Sequence, residues 1–315
     1  MTAAWPQPML ATLTERRFSD PDWIFERKLD GERALGGRVG GRAALRSRTG
    51  RDLADAYPEL VHALGRQPAD DFVVDGEIVG YQGREPSFAA LQRRMQLRSA
   101  ERARASGVRV VYYVFDLLRL EGDDLTGVEL RQRKARLRRT VRFAAPLRFT
   151  PHRNEAGELA YRDACRRGWE GVIAKRASGT YRAGRSTDWL KFKCVNEQEF
   201  VIGGFTDPGG SRAGFGALII GYYESGRLRY AGKVGTGYDE ETLRSLGERL
   251  RGLEQRDPPF DARPAVAHAH WVRPELVAQI AFTEITREGR LRHPRFRGLR
   301  RDKPAEEVVL ERGIA

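Results

Sequence analysis

Lysine is scarce in this chain: of its 56 basic side chains only seven are lysine, so arginine supplies positive charge almost everywhere. Cysteine is nearly absent. Cys165 and Cys194 form neither a metal-spacing cluster nor a disulfide framework, which fits a reducing cytoplasm. Nowhere does an uncharged run approach the roughly 20 residues of a membrane span. The opening Met-Thr-Ala-Ala-Trp-Pro-Gln-Pro-Met-Leu carries prolines and no basic-then-apolar signal pattern, so a soluble cytoplasmic protein with no membrane partner is expected. Solenoid repeats, low-complexity tracts and a proline- or serine-rich linker are missing too, which excludes a repeat array and leaves at most a short hinge.

What remains is an ordinary globular composition with an unusual charge. The chain has 315 residues, 40% of them hydrophobic, enough for two domains with cores of their own. A net charge of +13, with a pI near 10.1, implies an anionic partner, because such a surface releases counterions from a phosphate backbone.

Strand-like apolar runs at 23–28, 72–79, 108–118, 171–175 and 189–192 alternate with helical patterns at 87–97, 130–141 and 157–167. Beyond Cys194 the texture shifts to short strands and glycine turns around one charged amphipathic helix, 239–253, which suits a small closed β-barrel. The boundary is placed near Val195, giving domains 1–195 and 196–315 that close on each other.

Five of the seven lysines fall in short segments that share one order along the chain. Lys28 stands in Lys-Leu-Asp-Gly-Glu-Arg. Ser47-Arg48-Thr49-Gly50, Val74-Asp75-Gly76-Glu77-Ile78, Tyr113-Val114-Phe115-Asp116, Glu170-Gly171-Val172-Ile173-Ala174-Lys175 and Lys191-Phe192-Lys193 follow. Where arginine would serve for charge, a lysine marks a place that needs a compact amine able to lose its proton and attack an electrophile. Lys28 is the candidate nucleophile, and Gly31 allows a tight turn that brings backbone close to a ligand.

This ordered set resembles the covalent nucleotidyltransferase superfamily of DNA ligases, RNA ligases and capping enzymes. Within it, the chain is most similar to bacterial ATP-dependent DNA ligases, in particular the ligase module of end-joining ligases. The segment Arg292-His293-Pro294-Arg295-Phe296-Arg297-Gly298 running into Arg300-Arg301-Asp302-Lys303 is similar to that group's last motif. The resemblance implies an α+β nucleotidyltransferase (ATP-grasp-like) domain, then an all-β oligonucleotide-binding (OB-fold) barrel with one helix. It implies that Lys28 attacks the α-phosphorus of ATP to form lysyl-AMP, that AMP passes to a 5′-phosphate, and that a 3′-hydroxyl displaces it.

The roles follow residue by residue. Glu77 and Glu170 are assigned to magnesium or manganese, a hard cation held by carboxylates; their alternative is salt bridging to arginines. Asp30 either caps its turn or touches metal or water. Lys191 and Lys193, two apart in a strand, share a face and, by the resemblance, contact the α-phosphate, with Phe192 turned into the core. Nearby cations, a divalent metal and these two lysines, are expected to lower the pKa of Lys28. Phe115 is placed like the family's adenine-stacking aromatic and Glu26 like the reader of the adenine amino group. Arg33 and Arg48 are placed like the residues that hold ribose and 5′-phosphate. Lys175 contacts phosphate or nucleotide, and Arg300 and Lys303 orient pyrophosphate.

Only 27 residues precede Lys28, leaving no room for a helical DNA-embracing domain, so a monomeric, minimal enzyme is expected. Its partners would be nicked or broken duplex DNA and, by the resemblance alone, a Ku-type end-binding protein. An RNA ligase, a GTP-dependent capping enzyme and a non-catalytic nucleic-acid-binding protein are the rivals. The intact lysines and carboxylates argue against the last.

Overall fold

The structure is a computed structural model that describes residues 5–194, 196–209, 214–286, 288–300 and 302–311. Val195, where the sequence places the domain boundary, and Arg301 of the last motif lie outside the described residues. The chain divides into two units, one running to Cys194 and one from Val195 to Glu311.

Two β-sheets build the first unit. One runs in the order Met9–Leu13, Gly184–Lys193, Gly171–Arg176, Trp23–Lys28 and His152–Asn154, parallel at its first pair and antiparallel elsewhere. The other is seven-stranded, with Arg42–Ser47, Glu32–Val39, Phe72–Gln82 and Arg109–Leu120 as its successive long strands. Helices α1 (Pro58–Gly65) and α2 (Phe88–Met95) bury Leu60, Leu64, Leu91 and Met95 on the seven-stranded sheet, and α3 (Ala100–Ala105) buries Ala103. Further along the chain, α4 (Leu130–Thr140) buries Leu137 there, while α5 (Gly157–Arg166) sets Ala160 and Ala164 on Phe25, Val172 and Phe192 of the other sheet. Met9 and Trp189 from one sheet meet Leu35, Val73, Phe115 and Leu118 from the other in a shared apolar cluster, so the inner faces are held together.

A Cβ on Gly31 would stand 2.1 Å from the carbonyl oxygen of Ile78, so the bare backbone permits close packing on the neighbouring strand. The cysteine reading is corrected. Cys165 and Cys194 are disulfide-bonded, with Cα atoms 5.3 Å apart, because the end of α5 packs behind the end of strand Gly184–Lys193. Sequence spacing carried no sign of that approach.

The second unit is a six-stranded antiparallel sheet, Arg227–Val234, Leu218–Glu224, Asn196–Thr206, Ala269–Phe282 and Glu254–Gln255 in order, with Arg295–Arg300 also paired to Ala269–Phe282. With α6 (Glu240–Arg251), capped by Asp239 on Thr242 N–H, it encloses one apolar cluster that includes Phe200, Ile220, Leu246 and Ile280. The pairing among the described strands is that of a partly open barrel rather than the closed ring expected. No helix among the described residues is long and apolar enough to cross a membrane.

In the first unit, Arg133 of α4 and Asp116 are both fully buried and joined by two 2.8 Å hydrogen bonds. Removing one partner strands the other charge in the interior. Arg133→Met is therefore expected to cost about 3–5 kcal/mol in a urea unfolding titration.

Candidate active site

Strand register sets the site. Lys28 lies opposite Gly171, and Gly171 lies opposite Lys193, so two lysines flank a residue without a side chain on one face of three adjacent strands. At strand spacings of about 4.8 Å this puts their Cα atoms roughly 10 Å apart. Gly171 has φ +150°, and a Cβ there would stand 2.0 Å from the carbonyl oxygen of Phe192, so glycine is required. The next rank is Glu26, Ile173 and Lys191; the one after is Ile24, Lys175 and Trp189. Phe192 is fully buried on the opposite face, as the alternation of Lys191 and Lys193 predicts.

Lys28 forms an ion pair with Glu170, whose other oxygen, Oε2, is buried with no hydrogen-bond partner. Burial alone would lower the Lys28 pKa, but the carboxylates of Glu170, Asp30 and Glu77 outweigh it and hold the amine above the ordinary lysine range. Carboxylates dominate the surroundings of Lys28 here, whereas the expected lowering counts a divalent cation among its causes. Among the described residues no three His, Cys, Asp or Glu side chains converge as a metal cage. Magnesium does not need one, since it takes one or two carboxylates and keeps waters. The orphaned Glu170 oxygen, with Glu77 and Asp30 close enough to act on Lys28, is a donor set that fits it.

A second charged cluster lies two strand positions deeper. Glu26 is buried, and Lys134 of α4 donates to its Oε1 at 2.5 Å and also to the carbonyls of Phe115 and Thr150, both at 3.2 Å. Lys175 Nζ stands 2.7 Å from Glu26 Oε2 without the alignment of a hydrogen bond, and lies 3.9 Å above the Phe115 ring and 4.1 Å above Trp189. Glu26, placed by the sequence at the adenine, has both oxygens engaged by lysines. Desolvation would raise its pKa, and the two ammonium groups overcome this and hold it below the ordinary range. Lys134 escaped the sequence reading although the scarcity of lysine marks it as clearly as Lys28.

Arg33 is likewise engaged: its fork grips Asp75 at 2.5 and 2.6 Å, Tyr181 donates to the same carboxylate, and its guanidinium lies 4.6 Å from the Phe115 ring. Phe115 is 7% exposed and edge-on to Trp189. Glu77 pairs with Arg33 across the sheet. Arg48, half-buried, occupies the turn that Ser47 and Gly50 close, and Asp30 is exposed. Arg300 and Lys303 belong to the second unit, where Arg300 grips Asp302 at 2.8 and 2.9 Å and Lys303 reaches Glu199 at 3.5 Å.

Lys175 carries a pH signature. Burial first, and the neighbouring Lys134 charge second, push its pKa down to about 8 against the pull of Glu26. A lysine depressed in the folded state costs stability wherever it must be charged, below about pH 8; the cost fades as pH rises toward the unfolded value near 10.4. Relative to Lys175→Met, wild-type stability should be flat below pH 8 and rise between pH 8 and 10, as read from paired urea titrations.

Comparisons with known proteins identify the family. Residues 8–193 match the family described as "ATP dependent DNA ligase domain", and residues 211–303 match "ATP dependent DNA ligase C terminal region". The multifunctional non-homologous end joining protein LigD of Pseudomonas aeruginosa is 40% identical over 98% of this chain and 37% of its own length. The LigD protein of Mycobacterium tuberculosis is 40% identical over 96% of this chain and 40% of its own. The chain thus spans about 40% or less of the length of these relatives. Among solved structures, a mycobacterial DNA ligase D complexed with ATP and MES is 35% identical, with TM-score 0.67, covering 96% of this chain and 98% of that one. The ligase domain of M. tuberculosis LigD is 37% identical, with TM-score 0.51 and coverage of 97% and 98%. On the ordered motifs, the register that aligns Lys28 with Lys193 and the match of both family descriptions, this chain belongs to the ATP-dependent DNA ligases.

Proposed function

We propose that this chain seals 3′-hydroxyl/5′-phosphate breaks in duplex DNA at the expense of ATP, in end joining and alongside a Ku-type end-binding protein. The observation that carries the reading is the rank Lys28, Gly171, Lys193, with Glu170 against the Lys28 amine. The end-joining context rests on the names of the LigD relatives.

In the first stage the Lys28 amine gives up a proton and forms a nitrogen–phosphorus bond at the α-phosphorus of ATP, while the bond to pyrophosphate breaks. Lys193 and Lys191, on the same face, supply fixed positive charge where the phosphorus oxygens gain negative charge. Gly171 lets the strands of Lys28 and Lys193 pack closely on either side of it. Magnesium or manganese at Glu170, Glu77 and Asp30 would supply charge neutralisation at the phosphates. Drawing Glu170 away from Lys28 removes the interaction that keeps the amine protonated. A 5′-phosphate oxygen then takes the AMP from Lys28, and a 3′-hydroxyl displaces AMP to close the strand. Glu26, Lys175 and Lys134 build the buried wall beside Phe115 and Trp189, and Arg33 fixes Asp75 below it. Arg48 is assigned to the nucleotide or the 5′-phosphate. Arg300 and Lys303 are assigned to pyrophosphate.

Incubation with α-labelled ATP and metal, then a chase with nicked DNA, tests the proposal. Label from ATP that discharges into a sealed product supports it; label from GTP points to capping, and discharge by nicked RNA alone to RNA joining. Lys28→Ala should reduce labelling to background while nicked-duplex affinity stays within about twofold. Arg300→Ala or Lys303→Ala should slow self-adenylylation about a hundredfold, with a far smaller effect on sealing pre-adenylylated DNA. Equal loss in both assays would refute the pyrophosphate role.

A further inference from the structure

We infer that Arg27, stacked with Arg167 on the indole of Trp169, is a positioning residue for a backbone phosphate of the DNA strand being joined. The inference rests on the ligase reading and adds to it a binding subsite outside the nucleotide site.

Register places Arg27 opposite Val172 and Lys28 opposite Gly171, with Trp169 and Glu170 just upstream in the chain. Arg27 and Trp169 therefore stand at the same end of the sheet as Lys28 and Glu170. Side chains alternate along a strand, so Arg27 points to the face opposite Lys28, the one covered by α5, to whose apolar cluster Val172 and Trp169 belong. A phosphate held there is not one of the ATP phosphates on the Lys28 face. A strand crossing this end of the sheet meets both faces.

The chemistry of the cluster calls for an anion. The Arg27 guanidinium lies 4.2 Å from the Trp169 ring centroid and that of Arg167 lies 5.1 Å from it. Several other buried or half-buried arginines of this unit are matched to acids, Arg33 to Asp75, Arg94 to Glu59, Arg119 to Asp71 and Arg133 to Asp116, while Arg17, without an acid, donates to the carbonyl of Thr14. Arg27 and Arg167 have no carboxylate partner among the described residues, whereas the adjacent Arg166 is held by Asp163. The Nε–H of Arg27 is also shut off from solvent with no hydrogen-bond acceptor. Burial, reinforced by the like charge of Arg167, lowers the Arg27 pKa, a cost that nearby Tyr113 and Tyr81 only partly offset. Two cations sharing one indole, one of them carrying an idle buried donor, are poorly matched to each other and well matched to a phosphodiester. Stacking fixes the plane of the guanidinium and leaves its two terminal Nη groups, rather than the buried Nε–H, to make bidentate contact with phosphate oxygens.

The test uses the full chain and the variants Arg27→Ala, Arg27→Lys and Trp169→Leu. Two readouts are needed: the rate of self-adenylylation from labelled ATP, and KM and kcat for sealing a nicked duplex between 50 and 200 mM salt. For Arg27→Ala, KM for nicked DNA should rise about tenfold with kcat nearly unchanged, and the log–log salt slope should become shallower by about one, as expected for one lost phosphate contact. Arg27→Lys, which keeps the charge without the fork, should recover part of the KM and all of the salt slope. Trp169→Leu, which keeps the charge without its platform, should raise KM several-fold. Unchanged KM and salt slope in Arg27→Ala would overturn the inference; so would a fall in self-adenylylation equal to the fall in sealing, which would make Arg27 a packing or ATP-site residue. If Arg27→Ala fails to fold by thermal melting, Arg27→Lys decides: wild-type KM overturns the subsite. A wild-type chain that takes label but seals no DNA would remove the ligase reading itself, an outcome distinct from sealing that is indifferent to Arg27.

Discussion

One buried carboxylate ties the first unit together. Glu26 leaves the Lys28 strand, takes Lys175 from the neighbouring strand and Lys134 from α4, and Lys134 in turn holds the carbonyl of Phe115 on the other sheet. A lone ionised carboxylate in that position would be prohibitively costly, and so would a lone ammonium. Each is tolerable only because the others are present, so helix and both sheets meet in one arrangement. The strand that carries Lys28 inherits its position from this contact two residues away.

The charge balance around Lys28 has a different logic. Lys134 and Lys175 are there to satisfy Glu26, whereas Glu170, Glu77 and Asp30 surround Lys28 with more negative charge than it needs. An amine in such company is held in place but is not reactive, since only its neutral form is a nucleophile. Positive charge brought to the carboxylates both loosens the ion pair and lowers the amine's affinity for its proton. Storage as an ion pair and release by competition suit the nucleophile role proposed for Lys28.

Much of this was legible in the sequence, and the failures have physical causes. Apolar runs revealed the strands of Lys28, Phe115 and Phe192 because each is buried on at least one side. Strands Glu32–Val39 and Arg42–Ser47 and helix α1 were missed: glycines and arginines interrupt the strands, and α1 is a short element whose core contribution is Leu60 and Leu64. Spacing by two put Lys191 and Lys193 on one face, as observed, since alternation is a local property of a strand. The engagement of Glu26 by Lys134, 108 positions away, is tertiary and left no local trace. Arg33 shows the same limit: its distance from Lys28 places it near the site, but only the fold brings Asp75 to its fork.

The bond between Cys165 and Cys194 encloses the 29-residue stretch that contains Glu170, Gly171, Lys175, Lys191 and Lys193. Lys28 and Glu26 come from outside that loop. Closing a loop of this size removes denatured-chain entropy worth about 3–4 kcal/mol in the chain-entropy account. Half of the proposed phosphate-handling face is thus enclosed in one covalent ring against which the Lys28 strand docks. Under reducing conditions the same residues must be gathered by noncovalent packing alone, so the thermal tolerance of this half of the site follows the thiol status of its surroundings.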